Sequence, residues 1–435
     1  MLYIAAVLEK NNYNVKIVDA NALNLSPRET RCAIRSFDPD IVGFSILTPA
    51  HNFCLDVVKQ IQDVTTVAGG PHATVMADTL LLAGFDAVVH GEGEEAFLEL
   101  LRKPLKDVLG ISWRSTFRRF SNPDRDSIQD LDSLPFPARH LLPNNGISEP
   151  YRAAASRYKK WATILTSRGC PYSCYFCNKN IFGYKFRVRS PKNVLEEIEF
   201  LVSEYGVKEI DIADDVFNLD LKRAEEILDM IISENLNLYI RATNGLRIDH
   251  ITESFLRKFK KAGGDYIAYG IESGNQKVLD MIPKHITLDQ VRKVVSLTKK
   301  VGLRVAGFFI FGLIGDTKES MEETLDFSKR LDLDIAVYNT LAPYPGTRVW
   351  DIILESGGSI DTSDFSEFHH TSNKIMFSLP DGPKPEDILE IYKRAHREFY
   401  FRKTYVLREL SKVRSFAQLK ELFRGASSLL RMGKE

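Results

Sequence analysis

The stretch Thr166-Ser167-Arg168-Gly169-Cys170-Pro171-Tyr172-Ser173-Cys174-Tyr175-Phe176-Cys177 places three cysteines within eight positions, directly behind a short β-branched run. The chain has five cysteines in all, and the other two, Cys32 and Cys54, stand alone. An odd, clustered set does not read as a secreted disulfide framework; it reads as a metal or redox centre in a reducing compartment. Three thiolates in so short a loop can wrap one soft metal centre. A closed zinc site wants a fourth ligand, and no further Cys or His stands at finger-like spacing. A cubane iron–sulfur cluster held by three cysteines leaves one iron open to another ligand.

Outward from that loop, strand candidates at 162–166, 209–213, 238–242, 266–271, 304–311 and 335–338 alternate with helical stretches. The helices carry clean apolar faces, for example Val194, Ile198 and Leu201, then Ala224, Ile227, Leu228 and Ile231. Such alternation predicts a central, partial (β/α)6 TIM-type barrel over 161–357, with its chemistry at the carboxyl ends of the strands. Those ends carry Asp214-Asp215, Asn244-Gly245-Leu246-Arg247, Gly270-Ile271-Glu272-Ser273-Gly274 and Phe311-Gly312-Leu313-Ile314-Gly315-Asp316. Paired Asp214 and Asp215 are candidates to hold an ammonium group; capping of the following helix is the ordinary alternative. Tyr338, Asn339 and Tyr344 end or follow the sixth strand, where they could line a pocket or simply form a turn.

Before the barrel, runs at 15–19, 41–45, 66–69 and 87–90 alternate with helical patterns near 28–37, 52–63, 74–83 and 93–103. They predict an α/β domain over 1–123 with an open, doubly wound (Rossmann/flavodoxin-like) sheet, its ligand at the strand ends. The chain opens on a helix at 2–10, so the sheet is expected to be one strand short or the sequence N-terminally truncated. Ser45, Leu47 and Thr48, Gly70-Pro71-His72, and Gly91-Glu92-Gly93 occupy its loops. Glycines there let backbone approach a large flat ligand, and hydroxyls can bind a polar tail. Residues 124–160 lose periodicity and read as a linker.

Residues 358–435 are expected to be a helical, basic and aromatic region, with 12 Lys/Arg against 4 Asp/Glu from Ile391 onward. Over the whole 435 residues, 58 basic groups balance 58 acidic ones, which excludes the global field of a general nucleic-acid binder. No apolar run reaches the ~18–20 residues that span a bilayer, and no signal segment opens the chain, so a soluble cytoplasmic protein is expected.

Together these motifs resemble the cobalamin (B12)-binding class of the radical S-adenosylmethionine (SAM) superfamily over nearly the whole chain. The layout is similar to that of the anaerobic magnesium-protoporphyrin monomethyl ester cyclase and hopanoid methylase group. The resemblance implies a [4Fe-4S] cluster on Cys170, Cys174 and Cys177, with the amino and carboxylate groups of SAM on the open iron. It implies SAM contacts from Phe176, Asn244, Glu272 and Ser273, and catalytic roles for Asp214, Asp215 and Tyr344. Cobalamin contacts are implied for Ser45, Leu47, Thr48, Gly70, Pro71, His72, Gly91, Glu92 and Gly93. The Asp-x-His-x-x-Gly motif that supplies a cobalt-ligating histidine in many cobalamin domains is absent. Asp19-Ala20-Asn21-Ala22-Leu23 stands in its place. His72 is accordingly expected at the cobalamin rim.

The implied reaction is reductive cleavage of SAM to a 5′-deoxyadenosyl radical, hydrogen abstraction from an unactivated carbon, and methyl transfer from methylcobalamin. Oxidation or ring formation without methyl transfer is the alternative, and a non-catalytic iron–sulfur sensing protein a weaker one. Implied partners are a large hydrophobic or lipid-like small molecule and a flavodoxin- or ferredoxin-type electron donor. The basic, aromatic C-terminal region reads first as a helical cap packed on the barrel with its basic face solvated. It reads alternatively as a surface for an anionic or lipid-like substrate or a peripheral membrane contact. No nucleic acid is expected.

Overall fold

Parallel strands can be joined only through crossovers, so each series of strand–helix units should build its own sheet. The computed structural model, which describes residues 1–61, 63–116, 118–151 and 156–413, has two such sheets. The N-terminal one runs β1 (Ile41–Ser45), β2 (Thr65–Gly69), β3 (Ala87–Val89), β4 (Ile111–Arg114) and β5 (Arg119–Ser121) in sequential order. Its first three strands are parallel, and β4 and β5 add on antiparallel. The period-two alternation sorts the core. Ala68 and Val88 face Leu80, Leu81 and Phe85 on one side, while Val67, Val89 and Ile111 of the same sheet pack with Ala96 on the other.

Residues 15–19 form no strand: Val15 and Ile17 instead pack beside Ala5, Ala6, Ala138 and Leu141. Among the described residues β1 is the edge of its sheet, and residues 15–19 do not pair with it. The β4–β5 hairpin, with Trp113 stacked on Phe120 at 4.4 Å between ring centroids, was not expected because its strands are too short to show a period.

The second sheet is parallel throughout, in the order of β6 (Trp161–Ile164), β9 (Glu209–Ile212), β10 (Tyr239–Leu246), β11 (Gly264–Glu272), β12 (Arg304–Phe311) and β13 (Ile335–Thr340). Between β6 and β9 lies a small antiparallel pair, β7 (Ser167–Arg168) and β8 (Arg187–Val188). Outward residues such as Ile210, Ile212, Ile240 and Val305 pack beneath the helices. Tyr338 is one of these: its hydroxyl meets Ser328 and its ring stacks on Phe311, so it lines no pocket.

Inward residues at the amino end of the barrel are charged. Arg241 bridges Glu209 (2.6 Å) and Asp211 (3.2 Å), and Glu209 also accepts the backbone N–H groups of Arg157 and Tyr158. The end of the 124–160 segment therefore closes the barrel floor. Ile128, Leu131, Ala138 and Ile147 of the same segment are buried, so it is packed in place.

The C-terminal region is helical only in part. The helix Pro385–Tyr400 covers β13 through Ile388, Ile391, Tyr392 and Phe399, and Lys403–Lys412 follows it. Residues 358–384, broken by Gly357, Gly358, Pro380, Gly382 and Pro383, hold the antiparallel pair β14 (Ser359–Ile360) and β15 (Phe377–Ser378). The helical expectation beyond 413 lies outside the described residues.

Replacing Arg241 by Leu would strand the buried Glu209 and Asp211 carboxylates. Urea unfolding should then show a loss of about 3–5 kcal/mol, the range for breaking one side of a buried ion pair.

Candidate functional site at the barrel mouth

The cysteines lie in the irregular loop between β7 and β8, so neighbouring groups must fix it. Gly169 has φ +83°, and a Cβ there would stand 2.3 Å from the Lys185 carbonyl oxygen, so only glycine fits. Its N–H donates to Asp215 Oδ2 at 3.0 Å. The Cys177 N–H closes a turn on the Cys174 carbonyl at 3.1 Å, and Lys179 Nζ donates to the Cys170 carbonyl at 3.0 Å.

Loss of solvent pushes the Cys177 thiol up to about 11; Lys179 pulls the other way, and Cys174 and Cys170 add to the rise. Burial likewise raises the Cys174 thiol, against the pull of Lys284. Both shifts favour the protonated thiol, so a metal cluster must displace those protons as it binds. Among the described residues no three such groups already converge as a finished metal cage, so the loop supplies the donors and a bound cluster would complete the geometry.

The strand-end residues divide by direction. Asp215 is exposed, Asn244 is exposed with its amide donating to the Asp214 carbonyl at 2.7 Å, and Phe176 is half-buried against Tyr175. Glu272 adopts φ +69° and pairs with Lys284, whose Nζ also donates to the Gly270 carbonyl at 2.7 Å.

Asp214 and Ser273 do not face the mouth. Asp214 is fully enclosed, and its oxygens accept from the Thr166 N–H (2.6 Å) and Ser167 Oγ (2.6 Å). It secures the base of the cysteine loop and has no face left for a ligand. Ser273 is buried, with Oγ 3.1 Å from Thr324 Oγ1 in the helix Lys318–Arg330.

Tyr344 sits with Phe368, Trp350 and Met76, and its ring meets His370 edge-on at 5.5 Å. Burial pushes its phenol up to about 12, so it stays protonated. Arg247 and Lys284 had no role in the sequence reading. The Arg247 guanidinium lies 3.3 Å from the centre of the Tyr172 ring and is held by Asp249 at 2.9 and 2.8 Å. Tyr172 OH meets His250 at 2.8 Å. Arg247 ends the strand-end stretch 244–247 and Lys284 lies in no such stretch; only the fold brings both to the cysteine loop.

At the carboxyl ends of β1–β3 a second rim forms. Ser45 and Leu47 are exposed, Leu47 by 58% despite its apolar chain. Gly70 (φ +95°) leaves no room for a Cβ, which would stand 3.0 Å from the Ile46 backbone. Thr74 Oγ1 donates to the Gly70 carbonyl and accepts from the Gly91 N–H, both at 3.1 Å, tying the loops together. Ser45, Leu47, Gly70, Pro71 and Gly91 thus make a surface of exposed apolar chain and close backbone, which fits a broad, flat macrocycle.

The other four residues expected on this rim point inward. Thr48 Oγ1 binds His72 Nδ1 (3.2 Å), and His72 Nε2 meets His51 Nδ1 (2.8 Å). Phe365 closes over both imidazoles, at 4.9 and 5.1 Å from their ring centres. Glu92 is buried against Arg168 and Arg187, and a Cβ on Gly93 would strike Ile4 at 2.8 Å. His90 is engaged by Ser112 and the Thr74 carbonyl. His51, His72 and His90 are therefore all committed to protein partners. The two rims meet where Gly346 approaches both Val75 and Asn180.

Residues 164–328 match the Radical SAM superfamily, and residues 1–101 match the B12 binding domain. The chain is 32% identical to an uncharacterized methyltransferase of Pyrococcus horikoshii, with 98% of this chain and 92% of that protein covered. It is 30% identical to the anaerobic magnesium-protoporphyrin IX monomethyl ester cyclase of Rubrivivax gelatinosus, with 93% and 74% covered. The cobalamin-dependent S-adenosylmethionine radical enzyme OxsB, solved with aqua-cobalamin and S-adenosylmethionine bound, shares the fold. The TM-score is 0.72 at 16% identity, over 98% of this chain and 68% of OxsB.

Burial and the neighbouring His51 push His72 down to about 4 from 6.5, so the folded protein keeps it neutral. The unfolded chain takes up that proton first, so this contribution is full above pH 6.5 and fades as pH falls toward 4. It amounts to at most roughly 3 kcal/mol at ~1.4 per pKa unit. Urea unfolding at pH 7 and pH 4.5 should show a smaller acid loss in His72→Gln than in the wild type.

Proposed function

The chain belongs to the B12-binding radical SAM family, and from that premise we propose that it methylates an unactivated carbon of a large, apolar small molecule. The observation that carries this reading is the three-cysteine loop at a barrel mouth, set against a rim of exposed Ser45, Leu47 and close backbone. When bound, a reduced [4Fe-4S] cluster supplies the electron that splits SAM into a 5′-deoxyadenosyl radical and methionine, and cobalamin supplies the methyl group.

Cys170, Cys174 and Cys177 would hold the cluster, with Lys179, Lys284 and Arg247 offsetting its negative charge. Asn244, Glu272 and Phe176 would surround SAM, with Asp215 free to accept from its ammonium group. Ser45, Leu47, Gly70, Pro71 and Gly91 would seat cobalamin. In this division of labour residues 1–123 carry cobalamin, 161–357 carry cluster and SAM, and Tyr344 stands where their rims meet as a hydrogen-bond donor to substrate.

Strand alternation supports an apolar substrate. The half-buried inward residues Phe308, Ile310 and Val337 form one wall of the barrel on β12 and β13, with Asn339 the polar exception. Phe308 reaches across toward Gly245 of β10. The opposite wall carries Thr243, Asn244 and Asp215 and would take SAM. Exclusion of water by these walls protects a carbon radical.

A reducing cytoplasm with a flavodoxin- or ferredoxin-type donor suits three unpaired thiols in one loop. No helix among the described residues is long and apolar enough to cross a membrane. Exposed Leu407 and Leu410 beside Arg402 and Lys403 favour peripheral contact with a lipid surface. Oxidative ring formation is the second reading, favoured by the 30% identity to the cyclase.

Anaerobically reconstituted protein, given SAM and dithionite, should release 5′-deoxyadenosine, and Cys174→Ala should lower that rate by about a hundredfold or more, because an electron source is lost. S-adenosylhomocysteine formed alongside marks methylation; deoxyadenosine alone marks the second reading. A protein with full iron content that never cleaves SAM would contradict both.

A further inference from the structure

Glu92 belongs to a buried cluster that joins the two rims. Arg168, two positions before Cys170, is 3% exposed and lies between the rings of Tyr3 (4.9 Å) and Phe182 (5.0 Å). Its fork is split between two carboxylates of the N-terminal sheet's third loop: Nη1 donates to Glu92 at 2.6 Å and Nη2 to Glu94 at 2.8 Å. Arg187, at the other end of the cysteine loop, donates to the remaining Glu92 oxygen at 2.7 Å and to the Ile128 and Phe182 carbonyls. The Ile128 N–H also donates to Glu92. Two guanidinium groups thus meet two carboxylates, and both ends of the cysteine loop are bound to one glutamate of the other domain.

The connection continues on each side. Ser167 and Gly169, flanking Arg168, are fixed to Asp214 and Asp215 at the barrel strand end. Glu92 follows Gly91, whose N–H reaches Thr74 and through it the Gly70 carbonyl. An unbroken path of hydrogen bonds and short backbone links therefore runs from Cys170 to Gly70. Burial opposes the Arg168 charge, and Glu94 with Glu92 more than offsets it, so the guanidinium stays charged.

Granted the two cofactor sites proposed above, we infer that Arg168 is a positioning residue: with Glu92, Glu94 and Arg187 it sets the separation between the cluster loop and the cobalamin rim. Arg is required because one planar fork must serve two carboxylates at once; Lys keeps the charge but offers a single point donor. A merely stabilising pair would change unfolding without changing that separation.

The test uses full-length protein reconstituted anaerobically with iron, sulfide and hydroxocobalamin, then reduced with dithionite. Its readout is the microwave power that half-saturates the cob(II)alamin signal, which reports the distance to the nearby reduced cluster. Arg168→Lys and Glu92→Gln should change that power by about a third or more relative to wild type, since a site left unsupported drifts by more than ~0.5 Å and the relaxation varies as the inverse sixth power of distance. Glu95→Gln, altering the exposed neighbour, should leave it unchanged. Loss of cobalamin from Arg168→Lys with iron retained also supports the assignment, because Arg168 lies on the barrel side.

Glu94→Gln removes one arm only and provides the reading if the other variants do not fold. Variants that hold both groups and saturate like the wild type overturn the assignment. A wild type that takes up neither group overturns the proposed function instead.

Discussion

A loop without regular secondary structure must borrow its rigidity, and here the borrowed element is the segment that carries all three clustered cysteines. Asp214 and Asp215 fix its base, the Arg247 guanidinium stacks on Tyr172 at its side, and Arg168 and Arg187 join both of its ends to Glu92. Charges this deeply buried contribute little net stability, because desolvation offsets most of their attraction. What they contribute is a single arrangement, since any shift leaves a charge unpaired.

The same constraint explains the division between the domains. Each sheet puts its loops at the carboxyl ends of parallel strands, and the two sets of loops meet face to face near Val75, Asn180 and Gly346. The cofactors of such an enzyme perform the difficult bond cleavage, so the protein's task is geometric: where each group sits, how far apart, and what surrounds the substrate. The asymmetry of the barrel interior, polar near β9 and β10 and apolar on β12 and β13, follows from the inward positions of those strands.

Much of this was legible in the chain because six short strand runs alternate with amphipathic helical stretches; β11 and β12 read as near-continuous apolar runs, while β9 and β10 alternate apolar with charged or polar residues. The cysteine spacing placed the site at the first strand end. Asp214, Ser273, Thr48, His72 and Glu92 do lie just beyond strand ends, as their sequence positions imply, but the direction in which those side chains point was not legible. Direction depends on partners distant in the chain: Glu92 on Arg168, Ser273 on Thr324, and His72 on His51 and Phe365. Lys284 was not legible for the same reason, since its partner Glu272 stands on a backbone turn at φ +69° that no pattern announces. Residues 15–19 show the converse error, a run with strand-like composition whose Val15 and Ile17 pack against Ala5, Ala6, Ala138 and Leu141 with no strand pairing.

The central claim is that three sulfurs hold an iron cube whose fourth iron is open to SAM. Electron–nuclear double resonance on the reduced protein, with SAM carrying 17O in its carboxylate and 15N in its amino group, tests it most directly. The account predicts hyperfine coupling from both labels to the cluster spin. A cluster that assembles and reduces normally yet shows coupling from neither label would contradict it.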